Sequence, residues 1–481
     1  MTKIVPGEAR QPPTTTGLHR YEQVASHLRH LIESGTYAAL DKLPSVRSLS
    51  GQLGVSITTV LEAYRVLEDQ GLVEARPQSG YYVSAVMAPL ARVDSDLTVE
   101  DPVDVGMGEF LMRYLRDFQR RDLVQFGCAC PNPEQLPSAR LARCLAKVSR
   151  DLGPAGNLYD IPPGCEALRV QIARRSLVSP EEVMLTLGAQ EAITLCLLAT
   201  CQAGDTVAVE TPTFYGHLQA IEMLGLKAVE IPSDPVHGVS LASLRQCLED
   251  VPVKAMLLCT NYSNPTGATL SDEDKHELLE ILGGRDIPLI EDDIFGDLSH
   301  STQRPHTARA FDRRDLVLLC SSFSKTLAPG YRVGWVLAGP RYMGRLHQLK
   351  LFSNLGSPML PALAISEFLS TGAFEHHVRQ CRRHYARQVC QMAEAVERSF
   401  PAGTRVTRPR GGFVLWVELP QGYDTRLFYP RAVELGLTFG PGPIFSARGR
   451  FRNCLRLCAP YWSPASEAIL GKFGELLQKR R

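Results

Sequence analysis

The spacing of apolar residues separates this chain into an N-terminal part of short helices and a longer part of alternating strands and helices. Apolar residues recur at helical intervals between positions 21 and 32. Ser45 can cap a second helix, and a third helix ends at Gly71. Residues 72–75 and 81–83 are typical of two short strands around a turn. Three helices and a hairpin predict a winged helix-turn-helix.

After residue 126 the apolar residues fall into short runs, rich in leucine or β-branched residues, that alternate with helix-length segments. Such runs are typical of an α/β fold, in which helices cover both faces of a mostly parallel sheet. Ligands of these sheets bind beyond the carboxyl ends of the strands. The runs occupy positions 183–187, 206–209, 255–259, 288–290 and 317–320.

Polar segments follow these five runs directly, so the sequence predicts one pocket at the carboxyl edge of the sheet. Each segment alone is a weak signal, but their order and placement together are specific. In chain order the segments contain Gly188-Ala189-Gln190, Phe214, Asn264, Asp292 with Asp293, and Ser322 to Arg332.

Lys325, in the last of these segments, is the most informative residue. A lysine at the exit of a buried strand is unfavourable unless its charge is paired or its nitrogen is used covalently. Schiff-base chemistry needs a desolvated amine of this kind. The segment therefore predicts a covalent role for Lys325.

The composition is that of an ordinary globular protein. Of the 481 residues, 44% are hydrophobic and 21% are charged, so two or three domains are expected. The net charge is +1, and the first 83 residues carry as many acidic as basic side chains. The strongly basic surface of many DNA-binding domains is therefore absent.

Targeting signals and cysteine usage predict a cytoplasmic protein that does not associate with membranes. The N-terminus lacks the apolar core of a signal peptide, and no apolar run approaches the roughly 18 residues needed to span a bilayer. The 13 cysteines are scattered, many of them inside apolar runs, as reduced cysteines are. Their spacing does not match a zinc site, so no metal is expected.

The Lys325 segment closely resembles the pyridoxal-phosphate lysine motif of fold-type I aminotransferases, and residues 125–475 resemble class I/II aminotransferases. The resemblance implies a large, mostly parallel sheet domain, a small C-terminal α+β subdomain and pyridoxal 5'-phosphate as the cofactor. It also implies a Schiff base on Lys325 and a carboxylate, Asp292 or the adjacent Asp293, against the pyridine nitrogen. The other implied roles are ring stacking by Phe214, donation to the ring oxygen by Asn264, and phosphate binding by Gly188, Ala189, Gln190, Ser322, Ser324 and Arg332.

Three further positions bear on effector binding, assembly and catalysis. Arg456 falls where the family binds the carboxylate of an amino acid with a bidentate arginine. Tyr159 matches a tyrosine that reaches the phosphate of the neighbouring subunit, which implies a homodimer. Phe295 departs from the family, which usually has a tyrosine three positions after the pyridine-binding aspartate. Loss of that hydroxyl predicts at most weak or partial transamination.

The first 83 residues resemble the GntR-type DNA-binding domain. The resemblance implies that the third helix enters the major groove, with Thr58 and Thr59 at bases or backbone. It also implies that Arg47 binds phosphate and that the turn at Gly80 reaches an adjacent groove. Ile57 stands where the family usually has an arginine. Helical periodicity alone leaves open a packing or dimerisation module. The matching motifs are Leu43-Pro44-Ser45-x-Arg47, Leu53-Gly54-Val55-Ser56 and Gly71-Leu72-Val73.

A GntR-type module (1–83), a linker (84–125) and an aminotransferase-like module (126–481) together resemble the MocR family of transcriptional regulators. The resemblance implies a regulator that binds a double-stranded DNA operator and senses an amino acid or amine at Lys325. Two alternatives stay open. One is an active aminotransferase that carries a DNA-binding module, and the other is a sensor of pyridoxal phosphate itself.

Overall fold

The structure is a computed structural model in which the described residues divide into two compact units. One unit extends to residue 91 and the other begins at residue 92. No helix in the described part of the chain is long and apolar enough to cross a membrane. The residues described are 20–33, 36–37, 41–69, 72–76, 80–83, 98–106, 108–301 and 303–479.

The N-terminal unit is a winged helix-turn-helix, which confirms the prediction from the apolar pattern. Its elements are α1 (Arg20–Glu33), α2 (Val46–Leu53), α3 (Ile57–Asp69), β1 (Val73–Arg76) and β2 (Gly80–Val83). Ser45 caps α2, because its hydroxyl accepts a hydrogen bond from the amide of Ser48 at 3.2 Å. Tyr64 of α3 stacks on Tyr81 of β2 with ring centroids 4.2 Å apart. The predicted helix end at Gly71 and the hairpin turn at 77–79 lie outside the described residues.

The second unit is built around a nine-stranded sheet. Its strands are β3 (Val103–Asp104), β4 (Val183–Thr186), β5 (Thr206–Thr211), β6 (Lys227–Asp234), β7 (Gly238–Val239), β8 (Val253–Leu258), β9 (Leu289–Asp292), β10 (Val317–Ser322) and β11 (Gly334–Leu337). Strands β6, β5, β8, β9 and β10 are neighbours in that order and run parallel. Strand β11 pairs antiparallel with β10 and with β4. All five predicted runs are strands, so the mostly parallel α/β fold is confirmed.

Helices cover both faces of this sheet, because successive side chains of a strand point to opposite sides. Val207 of β5 packs in one core with Ile193 of a covering helix, whereas the next residue, Ala208, packs in another core with Leu244. The helices around the sheet are α5 (Ser138–Leu152), α6 (Glu166–Ser176), α7 (Ala189–Thr200), α8 (Tyr215–Met223), α9 (Leu241–Asp250), α10 (Asp272–Gly283), α11 (Pro340–Asn354) and α12 (Met359–Ser370).

A smaller subdomain completes the second unit, as the resemblance implies. Its elements are α13 (Ala373–Ser399), β12 (Arg405–Val406), β13 (Val414–Glu418), α14 (Thr425–Glu434), β14 (Gly440–Pro441), β15 (Cys454–Cys458) and α15 (Pro464–Gln478). The strands form an antiparallel sheet in the order β12, β13, β15, β14. Its core is shared with α13 and α15. Arg456 lies at the centre of β15.

Part of the segment predicted as a linker, 84–125, belongs to the second unit from residue 98 onward. Strand β3 pairs with β6 of the large sheet. Helix α4 (Gly108–Asp117) buries Leu111 and Tyr114 in the core of the smaller subdomain. The sequence does not reveal this placement, because the side chains that pack against Leu111 and Tyr114 are distant in the chain.

Candidate functional site

Five strand ends bring the predicted site residues to one edge of the large sheet. Strand β4 runs parallel to β10, since both are antiparallel to β11. The residues after β4, β5, β8, β9 and β10 therefore leave the sheet on the same side. The ring of Phe214 lies 5.5 Å from that of His217 and 4.5 Å from that of Tyr215. Arg456 of the smaller subdomain lies 5.9 Å from the Tyr215 ring, so the site joins both parts of this unit.

Lys325 is half-buried in the turn that follows β10. Its Nζ donates a hydrogen bond to the carbonyl oxygen of Ala129 at 2.6 Å. The hydroxyl of Ser322 accepts from the amide of Ser324 at 3.3 Å. The hydroxyl of Ser324 is buried and has no hydrogen-bond partner among the residues described. Among the described residues the hydrogen bond of Lys325 thus ends on a neutral acceptor, and the hydroxyl of Ser324 is available to a ligand.

Asp292 ends β9 and is buried beneath the pocket. Its Oδ2 accepts from Nε2 of His217 at 3.0 Å, and Nδ1 of that histidine lies 3.2 Å from the hydroxyl of Thr213. Its Oδ1 is buried without a partner in the described chain. Asp293, by contrast, is bound by Arg304. Of the two candidate aspartates, Asp292 therefore has the unpaired oxygen that a protonated pyridine nitrogen could satisfy.

The turn between β4 and α7 forms a cradle for an anion. Gly188 precedes α7 with a φ of 83°. This backbone conformation strains any residue with a Cβ, so the position favours glycine. A Cβ would also lie 2.6 Å from a guanidinium nitrogen of Arg332, which would displace the end of that side chain. Arg332 donates to the carbonyl of Leu187 at 2.9 Å. The amides of Ala189 and Gln190 begin α7, where the helix dipole favours negative charge.

Arg456 is fully buried and contacts only neutral acceptors among the described residues. Its Nη1 donates to Oδ1 of Asn264 at 2.9 Å. Its Nη2 donates to the hydroxyl of Tyr114 at 3.1 Å and to the carbonyl of Gly127. Its Nε is buried without a partner in the same set. Because Arg456 occupies the amide oxygen of Asn264, the amide nitrogen is the part of that side chain that can donate to a ligand.

Lys325, Arg332 and Arg456 share one electrostatic property. Within the described part of the chain, the hydrogen bonds of all three end on carbonyl, amide or hydroxyl oxygens and not on carboxylates. All three cations also help to lower the pKa of the Cys130 thiol, which places them around one point. A pocket with three such cations is suited to anionic ligands.

Two phenylalanines set the aromatic character of the site. Phe214 is partly buried immediately before α8, where its ring meets His217 edge to face at 85°. Phe295 is buried and packs edge-on against Phe413 with centroids 5.0 Å apart. Phe295 therefore fills a hydrophobic space and offers no hydroxyl to a ligand.

The sequence reasoning missed Glu210, a buried acid near the end of β5. Its Oε1 accepts from the hydroxyl of Ser263 at 2.9 Å and from the amide of Cys259 at 3.3 Å. Its Oε2 is buried without a partner among the described residues. Burial raises the pKa of Glu210 to about 8, and the charge of Asp292 adds to the effect. Glu210 therefore carries a proton at neutral pH.

His217, Tyr114 and the carbonyls of Gly127 and Ala129 were also missed. A local signal existed for His217, because it lies one helical turn after Phe214, which the sequence analysis already names as a site residue. No local signal existed for Tyr114 and Gly127, which lie 342 and 329 residues from Arg456 in the chain. Only the folded subdomain brings these groups together.

In the N-terminal unit, the predicted DNA-contacting residues fall into two groups. Arg47 and Thr58 are exposed on the first turns of α2 and α3, and Gly80 is exposed at the start of β2. The hydroxyl of Thr59 instead hydrogen-bonds to the hydroxyl of Ser56 at 2.8 Å, and its amide donates to the same oxygen at 3.1 Å. The side chain of Thr59 is thus part of the cap of α3, while Arg47 and Thr58 are open to DNA.

Tyr159 lies on the surface of the second unit. Its side chain is 78% exposed, and the nearby Leu158 and Ile161 are 68% and 60% exposed. An exposed aromatic residue among exposed aliphatic ones is the kind of surface that contacts another protein. The predicted contact of Tyr159 with a neighbouring subunit needs such an accessible position.

Comparisons with known proteins agree with this two-part organisation. Residues 132–466 match the family "Aminotransferase class I and II", and residues 20–83 match "Bacterial regulatory proteins, gntR family". The chain is 37% identical to the HTH-type transcriptional regulator YdcR of Escherichia coli, over 96% of this chain and 100% of that protein. It is 31% identical to the 2-aminoadipate transaminase of Thermus thermophilus, over 70% of this chain and 86% of that enzyme.

Solved aminotransferase structures share the fold of the second unit. LysN, the alpha-aminoadipate aminotransferase of Thermus thermophilus complexed with N-(5'-phosphopyridoxyl)-L-leucine, is similar with a TM-score of 0.73. It is 29% identical and covers 77% of this chain and 95% of its own. The multiple substrate aminotransferase of Thermococcus profundus has a TM-score of 0.72 at 26% identity, over 78% of this chain and 96% of its own.

The family match and the donor set indicate pyridoxal 5'-phosphate as the cofactor. The residues present fit this group on three counts. The unpaired oxygen of Asp292 suits a protonated ring nitrogen. The amides that begin α7, the hydroxyl of Ser324 and the guanidinium of Arg332 suit a phosphate. The amine of Lys325 suits an aldehyde.

We predict that Glu210→Gln stabilises the protein at pH 8 and has little effect at pH 5. Between the ordinary glutamate pKa of 4.5 and the raised pKa of about 8, the folded protein keeps a proton that the unfolded chain releases. Stability therefore falls as the pH rises through this window, and a neutral glutamine removes the loss, which is on the order of a few kcal/mol. Thermal unfolding at both pH values measures the change in stability. Glu249→Gln, on the exposed face of α9, is the matched control. Equal shifts at pH 5 and pH 8 would contradict a raised pKa.

Proposed function

Because this chain belongs to the MocR family of GntR-type transcriptional regulators, we propose that it senses an amino acid or amine through pyridoxal phosphate on Lys325. The winged helix then binds DNA in a manner that depends on the effector. The observation that carries the proposal is that Lys325 and Arg456 bind neighbouring carbonyls of one loop, those of Ala129 and Gly127. An aldehyde-reactive amine and a guanidinium that can bind a carboxylate thus lie close together.

The proposal gives each residue of the pocket a role. Asp292 pairs with the pyridine nitrogen and is oriented by His217. Phe214 stacks on the ring, and Asn264 donates to the ring oxygen. The phosphate is bound by Gly188, Ala189, Gln190, Ser322, Ser324 and Arg332.

Effector recognition follows from the exchange of one amine for another. Pyridoxal phosphate supplies an aldehyde carbon to which an amine can bind covalently. Lys325 would hold the cofactor through its amine, and with an effector amine bound to the cofactor instead, the lysine nitrogen would be free to donate to the carbonyl of Ala129. Arg456 binds the carboxylate of the effector, which provides the negative charge that its neutral partners lack. An amino acid therefore changes the partners of both Lys325 and Arg456.

The proposal includes a homodimer. Tyr159 with its exposed neighbours Leu158 and Ile161 supports a subunit contact. In such a dimer Tyr159 would reach the phosphate bound by the other subunit. Two winged helices would then bind a paired operator, so that two modules without excess basic charge bind through combined sites.

Two other functions have less support from the residues of the site. An active aminotransferase is supported by the similarity to the 2-aminoadipate transaminase, but Phe295 lacks the hydroxyl that would support proton transfer. A sensor of pyridoxal phosphate alone would not need a buried guanidinium at Arg456, whose hydrogen bonds among the described residues end on neutral oxygens. Both features favour a regulator that reads the carboxylate of an amino acid.

The direct test titrates the full-length, cofactor-loaded protein with amino acids and with amines that lack a carboxylate. We expect some amino acids to change the absorbance of the cofactor and the affinity for the DNA upstream of the gene, without continuous release of keto acid. Arg456→Lys should weaken the response to amino acids and leave that to amines nearly unchanged. Continuous keto acid release would favour the enzyme, and no response to any compound would favour the cofactor sensor.

For DNA binding, we predict that Arg47→Ala weakens affinity about equally for all sequences. In the proposed dimer it reduces the slope of log affinity against log salt by about two, roughly one for each winged helix. The physical reason is the loss of one phosphate contact per subunit. Arg174→Ala removes the same charge from an exposed position of α6 and is the matched control. Binding is measured by fluorescence anisotropy at several salt concentrations. Unchanged binding by Arg47→Ala would contradict a contact between α2 and DNA.

For the chemistry, we predict that Phe295→Tyr increases turnover with any amino acid that binds. A hydroxyl at this position can donate to the ring oxygen and support proton transfer, which typically contributes about 100-fold or more. Phe295→Leu keeps the hydrophobic packing and serves as the control. Turnover is measured as keto acid formation. Rapid turnover by the unmodified protein would contradict the interpretation that Phe295 favours a regulator over an enzyme.

A further inference from the structure

The loop that binds Lys325 and Arg456 carries two cysteines that the proposed function does not use. Cys128 and Cys130 flank Ala129, whose carbonyl accepts from Lys325, and they follow Gly127, whose carbonyl accepts from Arg456. The amide of Cys130 donates to the carbonyl of Cys128 at 2.8 Å, which makes a tight turn of these three residues. Any covalent change at the two thiols therefore acts on the backbone that contacts both cations.

Both cysteines are partly exposed in an otherwise buried segment. Phe126, Gly127 and Ala129 are buried, whereas Cys128 and Cys130 are not fully covered. Each thiol shifts the pKa of the other, so the two side chains lie close together. A small reagent that enters the pocket can thus meet two neighbouring cysteines.

The surroundings of the two cysteines give their thiols different reactivity. Cys130 is the nucleophile, and Cys128 is its partner. The hydrogen bond from Cys128 lowers the pKa of Cys130 to about 5, and the positive charges of Lys325, Arg456 and Arg332 act in the same direction. The same hydrogen bond, together with burial, raises the pKa of Cys128. Cys130 is therefore a thiolate at neutral pH, and thiolates are the form of cysteine that reacts.

We propose that Cys128 and Cys130 form a peroxide-sensitive oxidation site that closes to an intramolecular disulfide. The thiolate of Cys130 attacks one oxygen of hydrogen peroxide, the O–O bond breaks, and a sulfenic acid and hydroxide form. The thiol of Cys128 then attacks that sulfur, the S–O bond breaks, and water leaves. In total two thiols and one peroxide give one disulfide and two waters, so sulfur is oxidised and peroxide oxygen is reduced.

The disulfide changes the pocket in two ways, and this part of the inference rests on the proposed function. It removes the negative charge that faces Lys325 and Arg456. It also constrains the backbone around Ala129, so that the carbonyls of Gly127 and Ala129 are no longer in their present positions. Oxidation therefore weakens the response to amino acids. Conversely, a carboxylate bound at Arg456 offsets the positive charge that stabilises the Cys130 thiolate, so an amino acid effector slows oxidation.

The test treats full-length, cofactor-loaded protein with hydrogen peroxide, blocks remaining thiols with iodoacetamide and digests it with trypsin. Cleavage after Arg121 and Arg140 gives a peptide in which Cys128 and Cys130 are the only cysteines. We expect this peptide to lose two hydrogens and to resist alkylation until dithiothreitol is added. Cys390, which is exposed on α13 and hydrogen-bonds to Glu394, is the control inside the same chain. It should stay reduced at the peroxide concentration that oxidises the pair.

Variants separate the two steps. Cys128→Ser should leave a sulfenic acid on Cys130 that dimedone traps, and Cys130→Ser should leave Cys128 reduced. Cys390→Ser should behave like the unmodified protein. Reduced Cys128 and Cys130 after Cys390 has been oxidised, or sulfinic acid without a disulfide, would overturn the proposal.

The same samples distinguish this inference from the proposed function. The disulfide is scored by mass without reference to DNA or effector, so it can be present or absent whatever the effector test shows. Loss of the amino acid response on oxidation, with recovery in dithiothreitol, supports the link between them. A disulfide that forms while the amino acid response is unchanged would overturn that link.

Discussion

The site depends on one electrostatic constraint, which is that three cations converge without a carboxylate partner. Within the described chain, the hydrogen bonds donated by Lys325, Arg332 and the fully buried Arg456 end on neutral oxygens. Transfer of a guanidinium from water into such a place is unfavourable unless negative charge accompanies it. The proposed cofactor phosphate and effector carboxylate would add to the negative charge of the Cys130 thiolate, which supports both parts of the proposal.

The acidic residues beneath the pocket do not relieve this constraint. Asp293 is bound by Arg304, which lies outside the group of three cations. Burial raises the pKa of Glu210 to about 8 and that of Glu291 above its ordinary value, which favours their neutral forms. The unpaired oxygen of Asp292 could accept from a protonated ring nitrogen. Charge is thus distributed so that each anionic or cationic part of the ligand meets a complementary group.

The loop from Gly127 to Cys130 connects the two chemical parts of the site. Its carbonyls accept from Arg456 and from Lys325, so an effector that engages both cations changes two contacts of one short segment. The same segment packs against α4, since the hydroxyl of Tyr114 donates to the carbonyl of Gly127 at 2.5 Å. Helix α4 lies near the N-terminal boundary of the second unit, in the direction of the DNA-binding module along the chain.

Much of the fold could be predicted from the sequence, because its strongest signals are local. Strands buried on both faces give continuous apolar runs, and the runs from 183 to 320 are strands with the polar segments at their ends. The cap at Ser45 is likewise visible in a few residues. Contacts between distant residues could not be predicted in this way. The sequence favoured Asp292 but left the adjacent Asp293 possible until Arg304 was seen to bind the second. It treated Thr58 and Thr59 alike, although Ser56 engages only Thr59. The pairing of β3 with β6 and of Tyr114 with Arg456 depends on the tertiary structure alone.

The central claim is that pyridoxal phosphate is bound covalently by Lys325, and borohydride reduction followed by mass spectrometry tests it most directly. The account predicts a phosphopyridoxyl adduct on the peptide that contains Lys325 and no adduct in Lys325→Ala. Absence of any adduct from the cofactor-loaded protein, or an adduct on another lysine such as Lys350, would contradict it.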